Sequence, residues 1–192
     1  MRRCQRKPIY YFFSEGKKNQ TERIYFRNFN NSLSYSIRLV NSNETDPEGL
    51  LLFAKKYLKR NAELSESIGD RVFIICDIDN EEKRQRIISN GLIDKAKKSK
   101  ITFVFSNPCF EIWFLNHFVF TKKEYTSLQL LNDLNKHLKK YQKNVNYFDE
   151  LKTRMDKAIE NSKRQLENKD MSVPPCPGTN VYKVVELLLR RK

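Results

Sequence analysis

Two short apolar runs that stop abruptly in acid constrain this chain more than any other feature. The first is Ile9-Tyr-Tyr-Phe-Phe-Ser-Glu15-Gly16 and the second is Val72-Phe-Ile-Ile-Cys-Asp77-Ile-Asp79. Runs of this length, rich in aromatic and β-branched residues, read as strands buried on both faces of a parallel sheet. An acid inside such a strand would carry a heavy desolvation cost unless paired. Here the acids stand where the strands end, at the carboxyl edge where open α/β folds place their ligands. If the strands are neighbours, Glu15, Asp77 and Asp79 converge, and a divalent cation is the usual answer to their repulsion.

The rest of the chain alternates between strand and helix. Asn19 with Glu22 three residues on has capping-box spacing. The helix that follows points Ile24, Tyr25 and Phe29 inward, with Phe26 a further candidate. Ser36–Val40 reads as a second strand. Pro47 suits the first turn of a helix, whose stripe is Leu50, Leu51, Ala54 and Leu58. Gly69-Asp70 is a turn into the strand that ends at Cys76. A helix is expected over Lys83 to Lys98, weakened at Gly91, and a strand over Ile101 to Phe105. This alternation argues for a parallel Rossmann-like sheet of about four strands flanked by helices. Neither GxGxxG nor GxxxxGK[ST] occurs, so no ATP or NAD site is expected.

In Ser106-Asn-Pro-Cys-Phe-Glu111-Ile-Trp113-Phe-Leu-Asn-His117-Phe118, Asn107 can cap a helix and Pro108 can open it. Phe110, Trp113, Phe114, His117 and Phe118 then form one apolar face, with Glu111 off that stripe. Beyond it, Leu128, Leu131, Leu134 and Leu138 make one helix, Phe148 to about Leu166 another, and Asn180 to Arg190 a last one after a proline-containing loop, Lys169–Thr179. The division expected is an α/β core over residues 1–118 and a helical extension over 119–192 packed on it.

Composition narrows the partners. The 192 residues carry a formal charge of +14, which favours polyanions and nucleic acid first, although a solvated lysine-rich surface accounts for the same number. The pairs Lys17-Lys18 and Lys97-Lys98, and the cluster Lys139, Lys140 and Lys143, could hold phosphates; singly, each also reads as a surface lysine. Cys4, Cys76, Cys109 and Cys176 include no CxxC, and the two histidines lie far apart, which speaks against a zinc cluster or a disulfide framework. No run approaches the ~18 apolar residues of a membrane span, and the basic start leads into no secretory signal. The expectation is a cytoplasmic protein without membrane contact.

The acids can be weighed singly. Alternate side chains of an extended strand share a face, so Asp77 and Asp79 can both reach one cation; a polar turn with Asp79 as a cap reads equally from a bare Asp-x-Asp. Glu15 before Gly16 strengthens the metal reading. Glu111 is either a further metal-site acid or a favourable charge at a helix start. His117 on an apolar stripe reads first as a core histidine and second as a base.

Ser14-Glu15-Gly16, Thr21-Glu22, Tyr25-Phe26, Asp77-Ile-Asp79, the run Ser106 to Trp113, His117-Phe118 and Gly178-Thr-Asn-Val-Tyr182 together resemble the RloB family. The likeness runs through nearly the whole chain, and Asn-Pro-Cys-Phe-Glu-x-Trp is its most specific part. One departure is the insertion of Lys17-Lys18-Asn19-Gln20 between the Glu-Gly and Thr-Glu pairs. The resemblance implies a Toprim-like fold, with Glu15 as the Toprim glutamate and Asp77 and Asp79 as its Asp-x-Asp pair. It also implies a bacterial anti-phage (abortive infection) setting, often with a neighbouring ATPase.

The function expected is a Mg²⁺- or Mn²⁺-dependent nuclease acting on nucleic acid, RNA such as tRNA before DNA. Asp77 and Asp79 would hold the metal, Glu15 would share it or act as acid or base, and lysines would bind flanking phosphates. The alternative is a non-catalytic nucleic-acid-binding or regulatory subunit of a defence ATPase. Nucleotidyl transfer ranks below both. Oligomeric state stays open.

Overall fold

In the computed structural model, residues 6–15, 20–30, 32–79, 82–169 and 172–190 are described. Gly16, Lys17, Lys18 and Asn19 lie outside them.

A five-stranded sheet with the order β2-β1-β3-β4-β5 organises the molecule. Strands β1 (Ile9–Ser14), β2 (Ser36–Asn41), β3 (Arg71–Asp77) and β4 (Ile101–Asn107) are parallel, and the two-residue β5 (Gly178–Thr179) runs antiparallel to β4. The fold is thus the Rossmann-like, mostly parallel α/β architecture that strand–helix alternation implies. The two acid-ended strands are indeed neighbours: Ser14 sits opposite Ile75, and Asp77 opposite Ser106.

Period-two alternation divides the core between the two faces of the sheet. On one face Tyr11, Phe13, Ile74, Cys76 and Phe105 pack against α2 (Pro47–Asn61) and the segment after β3. On the other, Phe12, Phe73, Ile75 and Val104 meet α1 (Thr21–Arg27) and the helices that follow β4. Both faces are covered, which explains why the strands are almost continuously apolar. Helix α2 forms as its pattern implies: Leu50, Leu51, Ala54 and Leu58 are buried, Pro47 opens it, and Asp46 caps it through Gly49 N at 2.9 Å.

Other expectations change. The helix over 83–98 is broken into α3 (Glu82–Ile87), a π-helical turn (Ile88–Leu92) and α4 (Ile93–Lys98), because Gly91 takes φ +78°. Gln20 is the N-cap of α1 and makes no side-chain cap bond, while the Asn19 of the expected capping box lies outside the described residues. Asn107 is not a cap: it is the last residue of β4, its bond to Pro108 is cis, and α5 (Glu111–Asn116) starts after Phe110. Every residue of α5 is buried, Glu111 included, so the helix has no polar face for Glu111 to occupy.

The chain beyond residue 118 forms α6 (Ser127–Leu134), α7 (Phe148–Lys152), α8 (Met155–Gln165), β5 and α9 (Val181–Arg190). The single helix expected over 148–166 is interrupted between α7 and α8. The expected 169–179 loop ends in a strand, since Ser106 pairs with Thr179 and their hydroxyls meet at 2.8 Å. No helix among the described residues is long and apolar enough to cross a membrane.

Candidate active site at the carboxyl edge

Where β1 and β3 end, Glu15, Glu22, Asp77 and Glu111 line one cavity of about 180 Å³ together with Gln20, Thr21, Ile75 and Lys143. The acids come from different elements. Asp77 is the last residue of β3 and Glu15 follows β1; Glu22 stands in the first turn of α1 and Glu111 in the first turn of α5. Burial pushes the Asp77 carboxyl well above the ordinary carboxylate range, and the charges of Glu22, Glu111, Asp79 and Glu15 push it further. Burial likewise lifts Glu22 to about 7, with Glu111 and Glu15 adding to the rise.

Glu111 is 1% exposed. Its Oε1 accepts from Tyr141 Oη at 2.8 Å, lies 3.2 Å from Thr21 Oγ1, and stands 3.7 Å from Lys143 Nζ. Its Oε2 is buried with no hydrogen-bond partner. Burial alone would lower the Lys143 pKa, but Glu111, Cys109, Asp77 and Glu22 outweigh it and the net shift is upward, so this lysine is firmly cationic.

Glu15 is clamped. Arg84 of α3 donates to Glu15 Oε1 at 2.6 Å and to Oε2 at 3.1 Å, a two-pronged pair. The same guanidinium donates to the carbonyls of Asp77 and Thr45, each at 2.8 Å. Cys76 Sγ donates to Glu15 Oε1 at 3.2 Å, while burial and the Glu15 charge hold this thiol protonated.

Asp79 is placed apart. The extended path that would set Asp77 and Asp79 on one face ends with β3. Asp79 takes φ +54°, its N–H donates to Pro108 O at 2.8 Å, and its Oδ1 accepts from Ser127 Oγ at 3.3 Å. It is exposed and does not line the cavity, although its charge still raises Asp77. Of the lysines, Lys143 reaches the cavity. Lys139 and Lys140 are exposed and do not line it. Lys17 and Lys18 are outside the described residues. His117 is far from solvent: its Nδ1 donates to Trp113 O at 2.9 Å, and burial lowers its pKa to about 4.

Arg84, Tyr141 and Cys76 join the site without a sequence signal of their own, because tertiary folding alone brings them there. Glu22 had a signal in the Thr21-Glu22 pair. Among the described residues, no three acidic, histidine or cysteine side chains stand close enough to hold a metal ion. The donor chemistry still fits a hard divalent cation: all candidates are carboxylate oxygens, two of the acids are driven toward protonation, and Glu111 Oε2 is unpaired.

A mostly parallel Rossmann-like sheet with an acid-lined cavity at its carboxyl edge defines the class: an α/β protein with a candidate polar site there. Within that class, the family model described as RloB-like protein matches residues 10–188, and the chain belongs to that family. Neither the curated proteins nor the solved structures compared with the chain gave a match.

Proposed function

We propose that this RloB-like protein is a divalent-metal-dependent phosphodiesterase that cuts nucleic acid, RNA such as tRNA ahead of DNA, as an effector of anti-phage defence alongside an ATPase. The observation that carries the reading is the convergence of Glu15, Glu22, Asp77 and Glu111 on one cavity, in a chain whose formal charge is +14. A Mg²⁺ or Mn²⁺ ion, when bound, supplies charge neutralisation at a scissile phosphate and a more acidic water. Asp77, Glu22 and Glu111 would hold it, with Glu111 Oε2 offering an unused lone pair. Lys143 stands at the cavity wall, where a phosphate oxygen can pair with its ammonium. Arg84 fixes Glu15 against the ends of β3 and α3; release of that clamp would add a fourth carboxylate.

The test is incubation of the purified protein with total RNA and with plasmid DNA, with Mg²⁺ or Mn²⁺, against EDTA and Asp77→Ala controls. Metal-dependent cutting that Asp77→Ala abolishes is the expected result. No cutting of either substrate, even with the neighbouring ATPase and ATP present, would sink the proposal.

A second reading has its own support. The Arg84–Glu15 pair and the lack of three close metal donors among the described residues suit a non-catalytic nucleic-acid-binding subunit. In that case Asp77→Ala leaves binding and any cellular toxicity unchanged.

A further inference from the structure

The Asn107-Pro108 step belongs to the most distinctive motif of the sequence, yet Asn107 neither caps a helix nor lines the acidic cavity. It lines another one. On the opposite face of the carboxyl edge, Ile78, Ile88, Val173 and Pro174 wall a cavity of about 520 Å³, with Gln85 and Ser89 at its polar side. Asn107 is 5% exposed, and its Oδ1 has no hydrogen-bond partner. Its Nδ2 reaches Pro174 O only at 3.5 Å, the outer limit of a hydrogen bond. A buried amide oxygen without a donor is rare in a folded protein and asks for one.

The chemistry of the walls selects what could supply that donor. Among the described residues no charged side chain lines the cavity, so they offer no counter-charge to a phosphate or a carboxylate. Aliphatic and proline surfaces with a convergent carboxamide suit a flat heteroaromatic ring that carries N–H on its edge. Position narrows it further. Asp77 lines the acidic cavity and Ile78, the next residue, lines this one. Ile78 N–H donates to Ser106 O at 2.9 Å, which ties the two cavities to the ends of the adjacent strands β3 and β4.

We infer that this cavity is a nucleobase subsite in which Asn107 Oδ1 accepts from the base edge, for a strand whose phosphate lies at the acidic cavity across the edge. The inference rests on the nucleic-acid reading above and adds a specificity determinant to it. Asn107 is a binding residue here and takes no part in the bond cleavage.

The experiment measures binding of the full-length protein to short fluorescent A, C, G and U oligoribonucleotides in EDTA, where cutting is suppressed. A parallel set of strands carries one 4-thiouridine for photocrosslinking and peptide mapping. The wild type should favour one base. Asn107→Leu should flatten that preference by roughly threefold to tenfold, the worth of one hydrogen bond. Ser89→Trp, on the exposed rim, should do the same without touching the core, which covers the case in which Asn107→Leu does not fold. Crosslinks should fall within residues 85–89 or 173–176. Crosslinks elsewhere, or an unchanged base preference in Ser89→Trp with RNA still bound, overturn the subsite and leave the phosphodiesterase proposal standing. Failure of the wild type to bind any strand overturns both.

Discussion

His117 shows how a residue's role follows from its surroundings. Sequence alone left it between core packing and catalysis; its ring is fully buried, donates to Trp113 O, and leaves Nε2 without a partner. Burial, with a smaller effect from Arg154, holds its pKa near 4, against about 6.5 in an unfolded chain. Above pH ~6.5 the ring is neutral in both states and contributes no pH dependence. As pH falls from 6.5 toward 4, the unfolded chain takes up a proton that the native one refuses, and stability drops by about 3 kcal/mol in total. His117→Asn should flatten that slope relative to wild type in urea melts taken between pH 7 and 4. Equal slopes would mean the ring is not held neutral. Asp70 is the opposite case, a residue that looked like an ordinary turn acid. It is 5% exposed and accepts from Arg6 at 2.6 and 2.8 Å and from the backbone N–H groups of Ile9 and Ser65 at 2.8 Å each. Asp70→Ala strands two backbone donors and a guanidinium, so a loss of about 2–4 kcal/mol is expected, read as a lower urea midpoint at constant slope. At the site itself, Glu15 and Asp77 were legible because an acid at the end of an apolar strand is conspicuous. Arg84 and Tyr141 were not, since nothing local in an arginine or a tyrosine says which carboxylate it will meet after folding.

Elements with a strong period were legible to within about three residues. β1, α2 and α9 each present an apolar pattern that tertiary packing reinforces, and β3 and β4 run only slightly past their expected ends. The failures lie where backbone geometry overrides pattern. The apolar positions Ile87, Ile88, Leu92 and Ala96 suit one continuous helix, but Asn90 and Gly91 leave helical geometry and split it. Likewise the proline-containing stretch before Gly178 gave no hint of β5, whose pairing is set by Asn180 as well: its Oδ1 accepts from Phe105 N at 2.8 Å. Gly91 offers a test of sign. In a continuous helix, Gly→Ala would stabilise by about 1 kcal/mol. At φ +78°, with open space around a hypothetical Cβ, only backbone strain acts, so Gly91→Ala should instead destabilise by about 1 kcal/mol in a thermal or urea melt.

For the molecule as a whole, charge and topology act over different distances. The +14 charge is spread along the chain, and its pull on a polyanion is not sequence-selective. The acidic cavity is local, and Lys143 is the lysine of its expected cluster that stands at the cavity wall, 3.7 Å from Glu111. Lys139 and Lys140 sit a few residues away, exposed and outside the cavity. If all three only contributed to a diffuse field, their alanine variants would be interchangeable. Lys143 lines the cavity and Lys139 and Lys140 do not, so different behaviour is expected. Replacing Lys139 and Lys140 together should weaken RNA binding uniformly across sequences and reduce the salt slope by about 1.4, the value for two phosphate contacts on a single strand, with catalysis at saturating RNA unchanged. Lys143→Ala should reduce the cutting rate at saturating RNA, because it removes a cation that stands 3.7 Å from Glu111 at the wall of the cavity. It should also make the cavity more negative, so a higher concentration of Mn²⁺ should not be needed and a lower one should suffice for half-maximal activity. Paired titrations of salt and of Mn²⁺ on the two variants separate these effects. Identical behaviour of the two would show that Lys143 belongs to the diffuse surface and has no special part at the cavity.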